Sequence, residues 1–216
     1  MIKKNLKTLI MTGIIILLPL ICGLLTYNSL PDQIPIHFNL RGDVDGYGSK
    51  LFVLLISPII LLIQWAAVIE ANIRRKKEEI KDNYIKMMSW TLAACATALG
   101  VVIHYCANEN IVTAQRLCPI IVGVLFVVMG NLMPKQKKNK WAGIRIKWTL
   151  SDSDNWMKTH RLFGKISVLC GFVMISLSFV KNIQIAYTIM FVLMLCVIFI
   201  PTIYSYSLYK KNNSGE

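Results

Sequence analysis

The sequence predicts an all-α membrane protein: a bundle of six transmembrane helices with both termini in the cytoplasm. Six stretches contain no Asp, Glu, Lys or Arg, namely 8–31, 51–69, 87–108, 117–134, 166–180 and 182–209. Most of them reach the roughly 18 residues that a helix needs to cross a hydrocarbon core. The connecting segments are too short for a soluble catalytic domain, so the chain is not expected to be an enzyme.

Positive charge is concentrated in alternate connecting segments. Of the 24 Lys and Arg residues, 20 lie in segments 1–7, 70–86, 135–165 and 210–216. Because cytoplasmic loops carry the excess of Lys and Arg, this predicts a multi-pass cell-membrane protein with two large basic loops inside. The sidedness also explains the pI of about 9.6 without direct nucleic-acid binding.

The first helix mimics a secretory signal peptide, because Lys3, Lys4 and Lys7 precede an apolar run. The run continues without charge to Pro31, and no small-residue cleavage site follows. We therefore expect it to remain as a transmembrane helix.

The outer loop, residues 28–50, is expected to be ordered. Pro31 and Pro35 prevent a helix from continuing through this segment. Residues 34–39 alternate between two sets of side chains, with Ile34, Ile36 and Phe38 in one set, which is the pattern of a β-strand. Asp45-Gly46 is a turn signal. Asp43-x-Asp45-Gly46 faintly resembles a calcium loop, but position twelve is Leu54 instead of Glu, so no metal is expected.

Helices two to four follow. Helix two contains Pro58 and Gln64, and the charged run 74–79 is expected to extend it into solvent. Helix three carries His104 near its outer end. Helix four ends before Pro134.

The basic loop, residues 135–165, contains three tryptophans within sixteen residues. Ser151 is the expected N-cap of an interfacial helix that feeds the fifth membrane helix. That fifth helix is short, unless it begins near Leu162 and accommodates Lys165 by snorkelling. Trp156, Thr159, His160 and Phe163 would share one face of that helix. The composition of the loop predicts a membrane-surface anchor, a docking surface with exposed Trp and Arg anchors, or both together. The sixth helix ends in Tyr204, Tyr206 and Tyr209, an interfacial aromatic belt.

The six cysteines lie in apolar runs and predict packing residues. A disulfide between Cys106 and Cys118 at the outer ends of helices three and four stays open. No motif indicates a cofactor.

The two polar segments carry a family resemblance. Pro31-x-x-Ile34-Pro35-Ile36-His37-Phe38-Asn39, with Gly42, Asp45-Gly46 and Lys50, is similar to the outer-loop signature of a bacterial domain that precedes the Sdp-type immunity region. Gly130-Asn131, Pro134-Lys135, Asn139, Gly143-Ile144-Arg145, Trp148-Thr149-Leu150, Trp156 and His160-Arg161 resemble the second signature of the SdpI family.

The resemblance implies a bacterial immunity protein that protects against a secreted toxic peptide and captures a cytoplasmic winged-helix repressor at the membrane. A Gram-positive origin is expected. The implied extracytoplasmic recognition residues are Pro35, His37, Asn39, Gly42, Asp45, Gly46 and Lys50. The implied cytoplasmic partner-binding residues are Asn139, Gly143, Arg145, Trp148, Thr149, Trp156, His160 and Arg161.

Two alternatives remain, a small membrane transporter and an envelope-stress protein of the same fold. The helix interiors hold few polar groups, chiefly Gln64, His104 and Asn131, which disfavours transport. On this interpretation residues 1–70 form one part, with helices one and two and the outer loop. Residues 71–216 form the other, with helices three to six and the basic loop.

Overall fold

The computed structural model describes residues 2–75, 82–108, 110–138 and 143–214. The helices are α1 (Ile2–Leu25), α2 (Lys50–Arg75), α3 (Asp82–Ala107), α4 (Ile111–Leu132), α5 (Lys147–Ser151), α6 (Ser153–Ser176) and α7 (Ile183–Ser214). Strands β1 (Gln33–Phe38) and β2 (Val44–Ser49) form an antiparallel hairpin between α1 and α2.

Six helices in the described ranges are long and apolar enough to cross a membrane. Their candidate spans are Asn5–Leu25, Lys50–Ala67, Ser89–Ala107, Ile111–Lys135, Ser153–Phe179 and Ile183–Asn212. The predicted all-α membrane protein with six spanning helices is confirmed. The charged run 74–79 is described only to Arg75, which ends α2, and its remainder lies outside the described residues.

The chain divides into two compact units. Unit 1 contains α1, both strands, α2, α3 and the start of α4 up to Ala114. Unit 2 contains the chain from Gln115 onward, together with the turn residues Leu40–Gly42. The sequence-based division after residue 70 placed helix three with the second part, whereas its contacts place it with α1 and α2.

Unit 1 is held by apolar clusters and one buried polar contact. Ile16 of α1 packs against Ala93 and Ala96 of α3. The polar contact joins α1 to α2. The Gln64 side-chain amide of α2 donates to the Thr12 hydroxyl of α1 at 2.6 Å, and both side chains are buried. Polar side chains in hydrocarbon pair across helices because no water is available to satisfy them.

In unit 2, α4 and α6 approach backbone to backbone. A Cβ built on Gly130 would lie 2.8 Å from the Gly164 carbonyl oxygen, and one on Gly171 would lie 2.6 Å from that of Gly123. Membrane helices often carry small residues where they pack together, because these residues let the two backbones approach closely. The repeated spacing of seven residues on both helices is the sequence signal that could have found this interface.

The fifth spanning helix is longer than predicted. Helix α6 runs without a break from Ser153, so the expected interfacial helix and the short membrane helix are one element. Ser151 is the last residue of α5, and the N-cap of α6 is Asp152, whose carboxylate accepts the Asp154 and Asn155 amide N–H groups. The prediction of a Ser151 N-cap is therefore wrong.

Candidate functional site

The hairpin presents an exposed polar pair, His37 and Asp45. His37 Nδ1 lies 2.5 Å from Asp45 Oδ1, across the two strands, and the side chains are 69% and 43% exposed. Gly46 allows this geometry, because a Cβ there would stand 2.9 Å from the His37 Cβ. Of the predicted recognition residues, His37 and Asp45 are thus the ones brought together on the open surface of the hairpin.

The turn of the hairpin is formed by residues 39–43, so the expected Asp45-Gly46 turn is wrong. The side-chain oxygen of Asn39 accepts a hydrogen bond from the Asp43 backbone N–H at 3.0 Å. The Asn39 backbone N–H donates to the Asp43 carbonyl at 2.9 Å. Gly42 has a φ of 88°, which a residue with a Cβ rarely adopts. Asp45 and Gly46 instead lie inside β2.

Two further predicted recognition residues, Pro35 and Lys50, contact neighbouring residues of unit 1. Pro35 pairs with Tyr47 across the hairpin, next to an irregularity in the register. The Lys50 ammonium lies 2.8 Å from the Asp32 carboxylate and 4.9 Å from the centre of the Tyr27 ring. Its hydrogen bond and charge hold the pKa of Asp32 below the ordinary value. Lys50 thus joins the start of α2 to the segment that precedes β1.

The turn makes a contact of its own inside unit 2. The Gly42 carbonyl accepts a hydrogen bond from the buried side-chain amide of Gln115 in α4. The Tyr187 hydroxyl of α7 donates to the Gln115 carbonyl at 3.1 Å. Ile183, the first residue of α7, packs so close to Gly42 that a Cβ there would meet it. Gly42 is buried, which places it out of reach of an external ligand.

In the basic loop, Trp156 and His160 form a buried stack with ring centres 4.0 Å apart. The Trp156 indole N–H donates to the Gln136 carbonyl at 3.0 Å. His160 Nδ1 lies 2.8 Å from the Trp156 carbonyl, so it carries the proton, and Nε2 accepts the Ile144 amide N–H at 3.0 Å. The Trp156 and His160 rings, both on α6, thus hold two points of the preceding chain, Gln136 and Ile144, by hydrogen bonds.

Gly143 and Thr149 complete this core. Gly143 has a φ of 117°, and a Cβ there would run into the His160 and Trp156 rings. The Thr149 hydroxyl donates to the Ile144 carbonyl at 2.6 Å and lies 3.2 Å from the Ile146 amide N–H, which donates to it. Four predicted partner-binding residues thus meet in one place.

These contacts change the expected role of the aromatic residues. Trp156 is 1% exposed and Thr149 and His160 are 0% exposed, so the expectation of exposed tryptophan anchors is wrong for Trp156. Trp148 is half-buried, with its ring centre 4.8 Å from that of Tyr206 and 6.5 Å from that of Tyr209. Arg145 and Arg161 have exposed side chains. Asn139 and Trp141 lie outside the described residues.

A second network joins α6 to α7, and the sequence analysis missed it. The Asn155 side-chain amide donates to the Ser205 carbonyl at 2.9 Å, and the Ser205 hydroxyl donates back to Asn155 Oδ1 at 2.7 Å. Thr159 donates to the same oxygen at 3.0 Å. All three side chains are buried. The sequence signal that could have indicated it is the pair of polar residues Asn155 and Thr159, four apart and therefore on one helix face.

Other sites are not evident in the described parts of the chain. Among those residues, no group of three or more His, Cys, Asp or Glu side chains could hold a metal. Cys106 and Cys118 are not joined by a disulfide in this structure.

Comparison with known proteins finds a family model that matches each of the two polar segments. Residues 135–205 match the model of the SdpI/YfhL protein family, and residues 14–62 match a domain of unknown function, DUF1648. The chain is 28% identical over 214 residues to Immunity protein SdpI of Bacillus subtilis (strain 168), which covers 99% of this chain and 100% of the relative. No solved structure matches. With six helices long and apolar enough to span a membrane, a matched region that includes most of the basic loop and similarity over nearly its whole length, this chain is a multi-pass membrane protein that is similar to the SdpI family.

Proposed function

We propose that this protein is an immunity protein that protects its cell from a secreted toxic peptide, and that it signals by binding a cytoplasmic repressor. The observation that carries the proposal is the similarity to Immunity protein SdpI, which extends over the hairpin as well as the basic loop. Such a role needs binding surfaces and no catalysis.

Recognition of the peptide is assigned to the hairpin. The exposed His37–Asp45 pair lies in one strand pair with the exposed side chain of Tyr47, two residues after Asp45 on β2. A surface that combines a polar pair with an aromatic side chain suits an amphipathic peptide at a membrane interface.

Transmission is assigned to α7. Its first turns contact the hairpin turn through Tyr187, Gln115 and Gly42. Its last turns contact the basic loop through Ser205, which bonds Asn155, and through Tyr206, which packs on Trp148. A peptide that favours one position of α7 would shift the equilibrium between two arrangements of the loop.

Partner binding is assigned to the exposed rim of the basic loop. Trp156, His160 and Thr149 shape the loop from within, so they are positioning residues. Arg145 and Arg161 present positive charge on its surface and are the residues assigned to the repressor. Arginine anchors of this kind are enriched in protein interfaces.

Protection is tested by survival. Cells of a toxin-sensitive strain expressing the wild-type chain should survive a secreted Sdp-type peptide, and cells expressing His37→Ala or Asp45→Asn should not. Asp154→Asn is the matched control, because Asp154 forms an exposed ion pair of 2.7 Å with Lys158 in α6. Equal survival of all variants at equal membrane levels would remove the hairpin from the recognition role.

Repressor binding is tested separately, by the membrane recruitment of a fluorescent winged-helix repressor. Charge reversal at Arg145 and Arg161 should abolish recruitment and leave survival unchanged. Lys181→Glu is the matched control, because Lys181 is an exposed cation outside the basic loop. Loss of recruitment in the control as well would indicate a general charge effect instead of a docking surface.

A further inference from the structure

Unit 1 contains a cavity of about 650 Å³ among α1, α2 and α3. Its size falls within the roughly 300–1,000 Å³ of typical small-molecule sites. The wall comes from the α1 segment 18–26, the α2 residues Val53, Leu54 and Ile56, and the α3 segment 96–107. Most of these side chains are aliphatic.

The cavity is long and runs parallel to the helices. The lining on α3 extends from Ala96 to Ala107, which at 1.5 Å per residue is about 16 Å. The α1 lining, from Leu18 to Thr26, covers about 12 Å by the same rise. A slot of these proportions fits a linear chain better than a compact ligand.

The surroundings of the cavity are hydrocarbon. Nearly all of its lining lies inside the candidate membrane spans of α1, α2 and α3. Side chains at its border are exposed, among them Leu18, Leu25 and Leu99. The molecules that reach this border at the highest concentration are therefore lipid acyl chains.

Most polar groups of the lining lie toward the hairpin, and Thr97, at the opposite end, donates its hydroxyl to the Ala93 carbonyl. Thr26 follows the last residue of α1, and His104 lies in the last turn of α3. Leu30, Val53 and Ala107 line the cavity and also belong to the apolar cluster that holds Ile34 of β1. An apolar slot with polar groups at one end matches a phospholipid, whose acyl chain ends at an ester and headgroup.

We propose that this cavity binds one acyl chain of a phospholipid in the leaflet on the hairpin side. The chain lies between α1, α2 and α3, with its ester end beside Thr26 and His104. The bound lipid then supports the residues under Ile34. This site is independent of the immunity role.

The test uses the full-length protein in nanodiscs with a phosphatidylglycerol that carries a diazirine in one acyl chain. After illumination, the label should be concentrated on the lining segments 18–26 and 96–107 and be sparse on exposed residues of α7. Thr97→Phe places a ring in the cavity and should lower that label about fivefold or more, because closely packed walls cannot accommodate both groups.

Thr188→Phe is the matched control. Thr97 and Thr188 each donate their hydroxyl to the carbonyl four residues earlier, at 3.0 and 2.8 Å, but Thr188 lies exposed on α7. The control should label segments 18–26 and 96–107 like the wild type. Ile103→Trp is a second filling variant, so that one poorly folded protein does not decide the outcome.

Two results would overturn the proposal. Even labelling of all lipid-exposed helices, unchanged by both filling variants, would show that the cavity is no lipid site. Labelling of the lining by a diazirine-bearing Leu/Ala helical peptide, undiminished by excess phosphatidylglycerol, would assign the cavity to a peptide.

Discussion

The hydrogen bond between His160 and Ile144 should control how often the basic loop opens. His160→Leu keeps an apolar side chain of similar reach but removes the acceptor of the Ile144 amide N–H, now 3.0 Å away. An unsatisfied buried donor costs about 1–3 kcal/mol, and because Ile144 is half-buried the lower part of that range, about 1–2 kcal/mol, applies. His160→Gln carries an oxygen that can replace Nε2.

Trypsin measures the opening directly, since Arg145 and Lys147 are cleavage sites inside the fastened segment. When opening is fast relative to cleavage, the rate follows the population of the open form. A loss of 1–2 kcal/mol therefore raises cleavage at these residues by roughly 5- to 30-fold. His160→Gln should stay close to the wild type. Equal cleavage of wild type, His160→Leu and His160→Gln would refute the assignment of this bond as a fastening of the loop.

Three further predictions concern packing and charge. A double-mutant cycle of Asn155→Ala and Ser205→Ala, followed by SDS-induced unfolding, should give a coupling of about 1 kcal/mol, because the Ser205 hydroxyl donates a buried hydrogen bond to the Asn155 side-chain oxygen. Gly171→Leu should lower the free energy of unfolding by about 1–3 kcal/mol or more, since its side chain would enter the contact with α4. The Asp32 carboxyl, observed by carbon NMR, should titrate below its ordinary pKa of 3.8, because Lys50 stabilises the ionised form. Its ion pair thus contributes to stability above that ordinary pKa and is lost as pH falls through the lowered value.

Each of these has a control on the same part of the chain. Ser207→Ala, at an exposed position of α7 where the hydroxyl donates to the Tyr204 carbonyl at 2.7 Å, should not couple to Asn155→Ala. Phe172→Leu, at a side chain that is 60% exposed beside Gly171, should leave unfolding unchanged. Lys50→Met should raise the pKa of Asp32 toward its ordinary value, and an unchanged pKa would show that the ion pair is not its cause.

The spanning helices could be predicted from the sequence because charge is excluded from hydrocarbon at a cost that no tertiary contact removes. The turn of the hairpin could not. Asp45-Gly46 and Asn39–Gly42 both carry turn residues, and the choice depends on the contact of Gly42 with Gln115, a residue distant in sequence. Local propensity does not contain that information.

The basic loop shows the same limit for the site. Its tryptophans and arginines could be identified as a dense motif, but the sequence could not indicate which of them face inward. Trp156 is buried because Gln136 offers a carbonyl to its indole and His160 offers a ring to its face. The side chain of Arg145 is exposed at the surface of the loop. The positions of Gln136 and His160 therefore determine that Trp156 is buried, which its residue type alone does not predict.

The glycine contacts between α4 and α6 limit how unit 2 can deform. Gly123 and Gly130 oppose Gly171 and Gly164, and a Cβ at any of the four would already press on the other helix. A slide of one helical turn, about 5.4 Å, would replace each glycine by a residue with a side chain and force the backbones apart. The two helices therefore behave as a single mechanical frame. Helix α7 contains no glycine and meets this frame through side-chain hydrogen bonds, such as those of Asn155 and Tyr187.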